Sequence, residues 1–419
     1  MRLLLPRLMF LVSVCLVFQP SEAQEWTRFR GPNGAGLSDA ESLSATWTEA
    51  DYDWRISLPG QGHSSPVLWG DRIFLMSADP ETATCYVLCY SATDGRELWR
   101  RDFPSEPHHL HRRNTYASST PAVDGQRVYV TWADPARVTL MALDHDGNDK
   151  WSLDLGPWTS QHGYGTSPML HDGMVILNNC QQADQLEPGQ KPGKSFMIAV
   201  DAETGEEVWR TPRTAIRVCY STPSIYRPAS GVPELICTST GEGVYSLDPK
   251  TGKENWRVAD VLSMRVVSSP LVAGNVIFGS TGSGGGGNYV AAVRAGKEPE
   301  LAYKIKTSAP YVPLVVAKDG LAFLFYDRGI VSCIAIENGD VFWRERVSRG
   351  FSGSPVIADG KVYCIGDEGV VYVLAASNEF RLLGENALGE PTRSTPAIAG
   401  NRIYLRTLSH LTSVGARAE

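Results

Sequence analysis

Short alternating runs of apolar and polar residues, not helical stripes, fill the chain from about residue 50 onwards. One run reads Val67-Leu68-Trp69, Gly70-Asp71, Arg72-Ile73-Phe74-Leu75. It recurs as Ala122-Val123, Asp124-Gly125, Arg127-Val128-Tyr129-Val130 and as Val356-Ile357, Asp359-Gly360, Lys361-Val362-Tyr363-Cys364. Gly-Asp and Asp-Gly steps accept positive φ, and the β-branched and aromatic residues beside them favour strands, so each run predicts a hairpin. A third strand, a glycine-closed turn and an outer strand follow. Each unit therefore holds about four short strands, and none of them can bury both faces alone.

Prolines mark the unit starts: Pro66, Pro121, Pro168, Pro223, Pro270, Pro313, Pro355 and Pro396. Most sit in a Ser/Thr frame such as Ser119-Thr120-Pro121, and they recur every roughly 40 to 55 residues, the spacing of blade-forming arrays. Radial stacking of such sheets buries their faces and leaves only short edges. The predicted fold is all-β: an eight-bladed β-propeller of four-stranded antiparallel blades, one domain over residues 24–419. The last unit, from Pro396 to about Gly415, has room for three strands. Asp53–Leu58, ahead of the first unit, is expected to supply the fourth and close the ring. Asn179 to Lys194 reads as a polar loop insertion. The glycine run between Thr281 and Asn288 reads as a hairpin, because it lacks the Gly-Lys-Ser/Thr ending and following helix of a phosphate loop.

Five units carry a glycine four residues before a tryptophan: Gly95/Trp99, Gly147/Trp151, Gly205/Trp209, Gly252/Trp256 and Gly339/Trp343. Ala199-Val-Asp201-Ala-Glu-Thr204-Gly205-Glu-Glu-Val-Trp209 resembles the repeat motif of the PQQ-like, quinoprotein-type β-propellers, and Ser246 to Trp256 is a second good copy. The copies ending at Trp99, Trp151 and Trp343 are looser or shorter. The resemblance covers nearly all of residues 24–419 and looks like the eight-bladed, BamB-like members found among exported bacterial proteins. It implies a structural role for Trp99, Trp151, Trp209, Trp256 and Trp343, docking each blade on its neighbour. It brings in PQQ as a cofactor, yet the chain lacks the adjacent cysteine pair typical of PQQ-dependent dehydrogenases. The functions it implies are a binding or scaffolding protein, a periplasmic quinoprotein-like oxidoreductase using PQQ or a metal, and a BamB-like envelope protein-assembly factor.

Bulk properties narrow the setting. Arg2 and Arg7, the apolar run Leu8–Phe18 and Ser21-Glu22-Ala23 read as a signal peptide, residues 1–23, cleaved near Ala23. The expectation is a periplasmic or secreted monomer with no transmembrane segment. A net charge of −7 leaves no nucleic-acid footprint. Seven scattered cysteines follow the leader, no disulfide framework; Cys219 and Cys237 flank a turn and could face each other.

Candidate chemistry gathers just ahead of the anchor prolines, where the loop entering each innermost strand opens onto the channel. These stretches carry His63, Tyr116, His162, Tyr164, Arg217, Tyr220, Arg265, Tyr311, Arg349 and Arg393, and Glu390 is their one carboxylate. His108, His109, His111, Arg112 and Arg113 stand upstream in one loop. A basic, aromatic ring on an acidic protein suits an anionic or carbohydrate ligand. The same arginines and tyrosines could instead pair with carboxylates of neighbouring blades, and both readings stay open. Spacing fixes no third metal ligand, so no metal site is expected, and no catalytic residue is assigned.

Overall fold

The computed structural model describes residues 25–186, 188–229 and 231–415; the expected signal peptide lies outside the described residues. Among these, eight antiparallel sheets of four strands form an eight-bladed propeller, and helical backbone is confined to two short turns, Pro32–Gly34 and Glu49–Asp51. Blade 1 runs outward through Val67–Trp69, Arg72–Ala78, Cys85–Ser91 and Glu97–Phe103. Blades 2 to 7 repeat that order, and their innermost strands begin at Ala122, Met169, Ser224, Leu271, Val316 and Val356. In blade 8 the inner strand is Ala397–Ala399 and the outermost is Tyr52–Ser57, with Ile56 opposite Leu411. The N-terminal strand thus closes the ring. No helix among the described residues is long and apolar enough to cross a membrane.

Burial explains the sequence pattern. The second and third strands of each blade are sandwiched between neighbouring blades; Cys85–Ser91 is buried along its whole length. A strand buried on both faces reads as a continuous apolar run. The outer strand Glu97–Phe103 alternates between exposed and partly buried positions. Blade 6 departs from the expected anchor. Its inner strand starts at Val316, so Val315 occupies the place that proline holds elsewhere and Pro313 lies two residues early.

Four of the five glycines of the repeat motif seat a tryptophan of the preceding blade, and Gly339 seats Tyr303. A Cβ on Gly205 (φ +77°) would lie 2.7 Å from the Trp151 ring, so only glycine fits. Trp151 Nε1 donates to the Ala202 carbonyl at 3.1 Å, and Trp99, Trp209 and Trp343 likewise donate to His145, Pro249 and Ser377 of the next blade. Trp256 is the exception, since its Nε1 bonds Glu234 of its own blade at 2.6 Å. Two positions outside the predicted set extend the series. Trp54 of the closing strand donates to Ala92 of blade 1 at 3.1 Å, and the Tyr303 hydroxyl donates to Ile336 of blade 6.

The segment before the closing strand seals one end of the channel. Glu25–Trp26 adds a fifth strand to blade 1. Asn33 exchanges two hydrogen bonds with Ile225 of blade 4, at 2.8 and 2.7 Å, and Gly36 accepts from Ile357 N–H of blade 7 at 2.7 Å. Arg28 and Arg30 are buried, solvated by carbonyls: Pro223 at 2.8 Å for Arg28, Val315 at 3.1 Å and Pro355 at 3.0 Å for Arg30. The cysteine expectation is corrected. All seven described cysteines are free, and Ser224 pairs with Ile236, which leaves Cys219 beyond the paired residues and far from facing Cys237.

Candidate functional site

At the opposite end, the loops entering the innermost strands surround a cavity of about 450 Å³ at the channel mouth. A belt of hydroxyls fastens the inner strands beneath it. Ser65 N–H donates to Thr120 Oγ1 (2.9 Å), Thr120 N–H to Ser167 Oγ (2.9 Å), and Thr222 N–H to Ser269 Oγ (2.9 Å). Leu314 N–H donates to Ser354 Oγ (3.1 Å), Ser354 N–H to Thr395 Oγ1 (3.0 Å), and Thr395 N–H to Ser65 Oγ (3.0 Å). Six of the seven Ser/Thr residues before an anchor proline thus satisfy a backbone donor of the neighbouring blade that would otherwise be orphaned, while the Thr222 hydroxyl donates to the Ser167 carbonyl at 3.4 Å. Phe29 of the N-terminal segment also lines the cavity, which makes the channel a blind pocket.

Seven of the expected residues line this cavity: His63, His162, Arg217, Tyr220, Arg265, Tyr311 and Arg393. Three do not, and each is a correction. Tyr164 is 5% exposed, its hydroxyl 2.8 Å from Thr131 Oγ1 and its ring edge-on to Trp158; the apolar interblade core claims it. Tyr116 turns back to bond the backbone of His108, accepting at 3.1 Å and donating at 3.0 Å. Arg349 is exposed to solvent outside the cavity.

His111, Arg112 and Arg113, which the sequence sets upstream in one loop, fold over the mouth from blade 1's outgoing loop. The structure adds further residues that the loop-entry argument missed. Tyr326, Asp327 and Arg328 come from the turn between the second and third strands of blade 6. The glycine run and Asn288 arrive from the equivalent turn of blade 5. This second class of loop also brings acids. Asp184 pairs with Arg217 at 3.4 Å, and Asp327 accepts the backbone N–H groups of Tyr311 (2.6 Å) and Val312 (3.1 Å). The mouth is therefore less acid-free than the entry loops suggest, and Arg217 is already engaged.

Cationic donors remain in excess. Among the described residues, Arg112, Arg113, Arg265, Arg328 and Arg393 have no carboxylate within 4.0 Å. Arg265 donates to His162 Nε2 and, at 3.0 Å, to Gln161 Oε1. His162 must then be neutral with its proton on Nδ1. Burial, followed by Arg393 and Arg406, pushes His63 down to about 3, so this imidazole is neutral as well. His63 Nδ1 and Arg393 Nε are buried and make no hydrogen bond within the protein. Burial lowers the Arg393 pKa, Asp367 offsets part of that, and Arg113 and Arg112 lower it further, as crowded like charges do. Such a mouth can hold and orient an anion with fork-shaped donors. Among the described residues no three His, Cys, Asp or Glu side chains converge as metal ligands.

Fold and mouth together define an eight-bladed propeller with a blind, cationic channel. The chain belongs to the family described as outer membrane protein assembly factor BamB, whose model matches residues 52–186, 193–298 and 327–416. It is 23% identical over 193 residues to the outer membrane protein assembly factor BamB of Moranella endobia (strain PCIT), covering 41% of this chain and 47% of that protein. The chain thus spans about half the length of the curated relatives it matches. The crystal structure of BamB from Moraxella catarrhalis superposes with a TM-score of 0.64 at 14% identity, over 87% of this chain and 97% of that one. A quinohemoprotein alcohol dehydrogenase from Pseudomonas putida HK5 gives 0.65 at 13%, over 94% and 81%. At such identities the likeness is one of fold.

Proposed function

We propose that this protein is an exported binding propeller, one domain over residues 24–419, that takes an anionic carbohydrate at its channel mouth. The observation that carries this reading is the excess of unpaired donors over acids around a blind pocket: five arginines without carboxylate partners and the orphaned Nδ1 of His63. A cavity of about 450 Å³ suits one or two sugar rings. Tyr220 and Tyr311 provide faces for those rings, and Asn288 with the hydroxyl belt provides neutral hydrogen-bonding groups.

Isothermal calorimetry of the purified protein with a sulfated or uronic disaccharide, against its neutral counterpart, tests the reading. Binding of the charged sugar alone, weakened at least tenfold by Arg265→Ala or Arg393→Ala, is the expected result. Equal binding of both sugars, or none of either, would refute it.

Family membership favours a second reading, an envelope protein-assembly factor that works through exposed loops, because the relatives carry that description. It predicts co-purification with envelope proteins that survives both arginine substitutions. The quinoprotein reading fits the mouth poorly. A quinone held beside a divalent ion needs carboxylate ligands, and Asp327, the acid lining the cavity, already accepts two backbone N–H groups.

A further inference from the structure

Five of the seven described cysteines, Cys85, Cys89, Cys237, Cys333 and Cys364, sit in apolar interblade clusters. Burial pushes their thiols up, as for Cys89 and Cys333, to about 12. Cys180 and Cys219 are also buried in an apolar interblade cluster, with Val261, Leu262 and Val266, but their sulfurs accept backbone N–H groups. Cys180 follows the strand Met174–Asn179 of blade 3, and Cys219 lies in the loop entering the inner strand Ser224–Tyr226 of blade 4. Cys219 N–H donates to Cys180 Sγ at 3.2 Å, and Thr240 N–H donates to Cys219 Sγ at 3.3 Å. Both thiols also aim at one acceptor, the Arg217 carbonyl oxygen, at 3.4 and 3.3 Å. Two sulfurs that share an acceptor, one of them bonded to the other residue's own N–H, are immediate neighbours.

We propose that Cys180 and Cys219 are a peroxide-oxidisable dithiol that closes into a disulfide between blades 3 and 4. Backbone N–H groups on sulfur favour a thiolate. For Cys219 burial opposes ionisation, but hydrogen bonds from Cys180 and Thr240 outweigh it and bring the thiol down to about 7. Cys180, hydrogen-bonded to Cys219 and buried, is held well above its usual value. One sulfur is thus the nucleophile and the other the resolving thiol. The Cys219 thiolate attacks one oxygen of hydrogen peroxide; the O–O bond breaks, hydroxide leaves, and a sulfenic acid forms on Cys219. Hydroxide takes up the proton that Cys219 had released and becomes water. Cys180 sulfur then attacks Cys219 sulfur; the S–O bond breaks, and the departing hydroxide leaves with the Cys180 proton as a second water. Two thiols lose two electrons and peroxide gains them. Arg217 and Tyr220, on either side of Cys219 in the chain, line the mouth, so the new bond would fix one wall of the cavity.

Hydrogen peroxide, added in equimolar amount to the reduced protein, supplies the test. Peptide mapping by mass spectrometry should find a cross-link between the Cys180 and Cys219 peptides and a loss of two hydrogens from the intact mass. Cys180→Ser should stop at the sulfenic acid, trapped on Cys219 by a dimedone probe. Full alkylation of both cysteines after peroxide, or a cross-link joining any other pair, overturns the proposal whether or not the variant folds.

Discussion

Replacing Trp209 by alanine measures what one interblade contact contributes. Trp209 is 7% exposed and packs with Met169, Met197, Leu235 and Leu247, a cluster drawn from blades 3 and 4. Its ring rests on Gly252, where a Cβ would lie 2.4 Å from Cε3, and its Nε1 donates to the Pro249 carbonyl at 2.9 Å. Truncating a buried tryptophan costs about 3–5 kcal/mol in lost transfer energy and residual cavity. Trp209→Phe keeps most of the ring but orphans the carbonyl, which should cost about 1–2 kcal/mol. Gly252→Ala attacks the contact from the other side, through both the collision and the positive φ of +68°. Urea denaturation followed by circular dichroism reads each change as a shift in midpoint at unchanged slope. Trp256→Ala is the internal control: that ring is partly exposed, no glycine seats it, and its Nε1 bonds its own blade, so the loss should be smaller. A loss below about 1 kcal/mol for Trp209→Ala, or one no larger than that of Trp256→Ala, would refute interblade docking as the role of the motif.

Starting the chain at residue 59 removes Tyr52–Ser57 and leaves His410–Gly415 as an unpaired edge; the melting temperature should fall and self-association rise, and an unchanged melt would contradict closure by this strand. His63 gives a pH signature. Its folded pKa, about 3, lies below the ordinary 6.5, so between these values the unfolded state binds more protons. The stability from His63 is complete above pH 6.5 and declines as pH falls towards 3, with a slope of at most about 1.4 kcal/mol per pH unit. Denaturation midpoints across that window should fall less steeply in His63→Gln, and parallel curves would refute the assignment.

How much of this was legible in the sequence depended on whether a signal was local. Hairpins around Gly70-Asp71 or Asp359-Gly360 declare themselves within ten residues, and their recurrence gives the blade count. The closing strand was legible because blade 8 is one strand short. Blade 6 was misaligned because Pro313 imitates an anchor that Val315 actually occupies. Trp54 and Tyr303 escaped the tryptophan series, one because its blade is split between the chain ends and the other because a phenol replaces the indole. At the site, the entry loops could be found from their fixed offset to a proline. The turns between second and third strands could not, since they range from Thr240-Gly241-Glu242 to the insertion after Asn179 and carry no common mark. That is why Asp184, Asp327 and Arg328 were missed, and why Cys219 was matched with Cys237 along the chain when its neighbour in space is Cys180 of the preceding blade.

The placement of charge ties the sealed end to the open one. Arg28, Arg30 and Arg406 are buried and bonded to carbonyl or hydroxyl oxygens, with no carboxylate within 4.0 Å among the described residues. Carbonyl dipoles solvate a guanidinium without cancelling its charge, and burial accordingly pushes each of the three below the usual arginine pKa. Arg406 is felt at the mouth, since it helps to keep His63 neutral. Fixed positive charge in low dielectric acts over longer distances than surface charge does, and salt screens it less. A chain with net charge −7 therefore turns a positive potential into its channel, where arginines line the wall and further arginines lie behind it. The N-terminal segment is thus part of the site as well as of the fold, because it both blocks the far exit and places Arg28 and Arg30 beside Phe29 at the pocket.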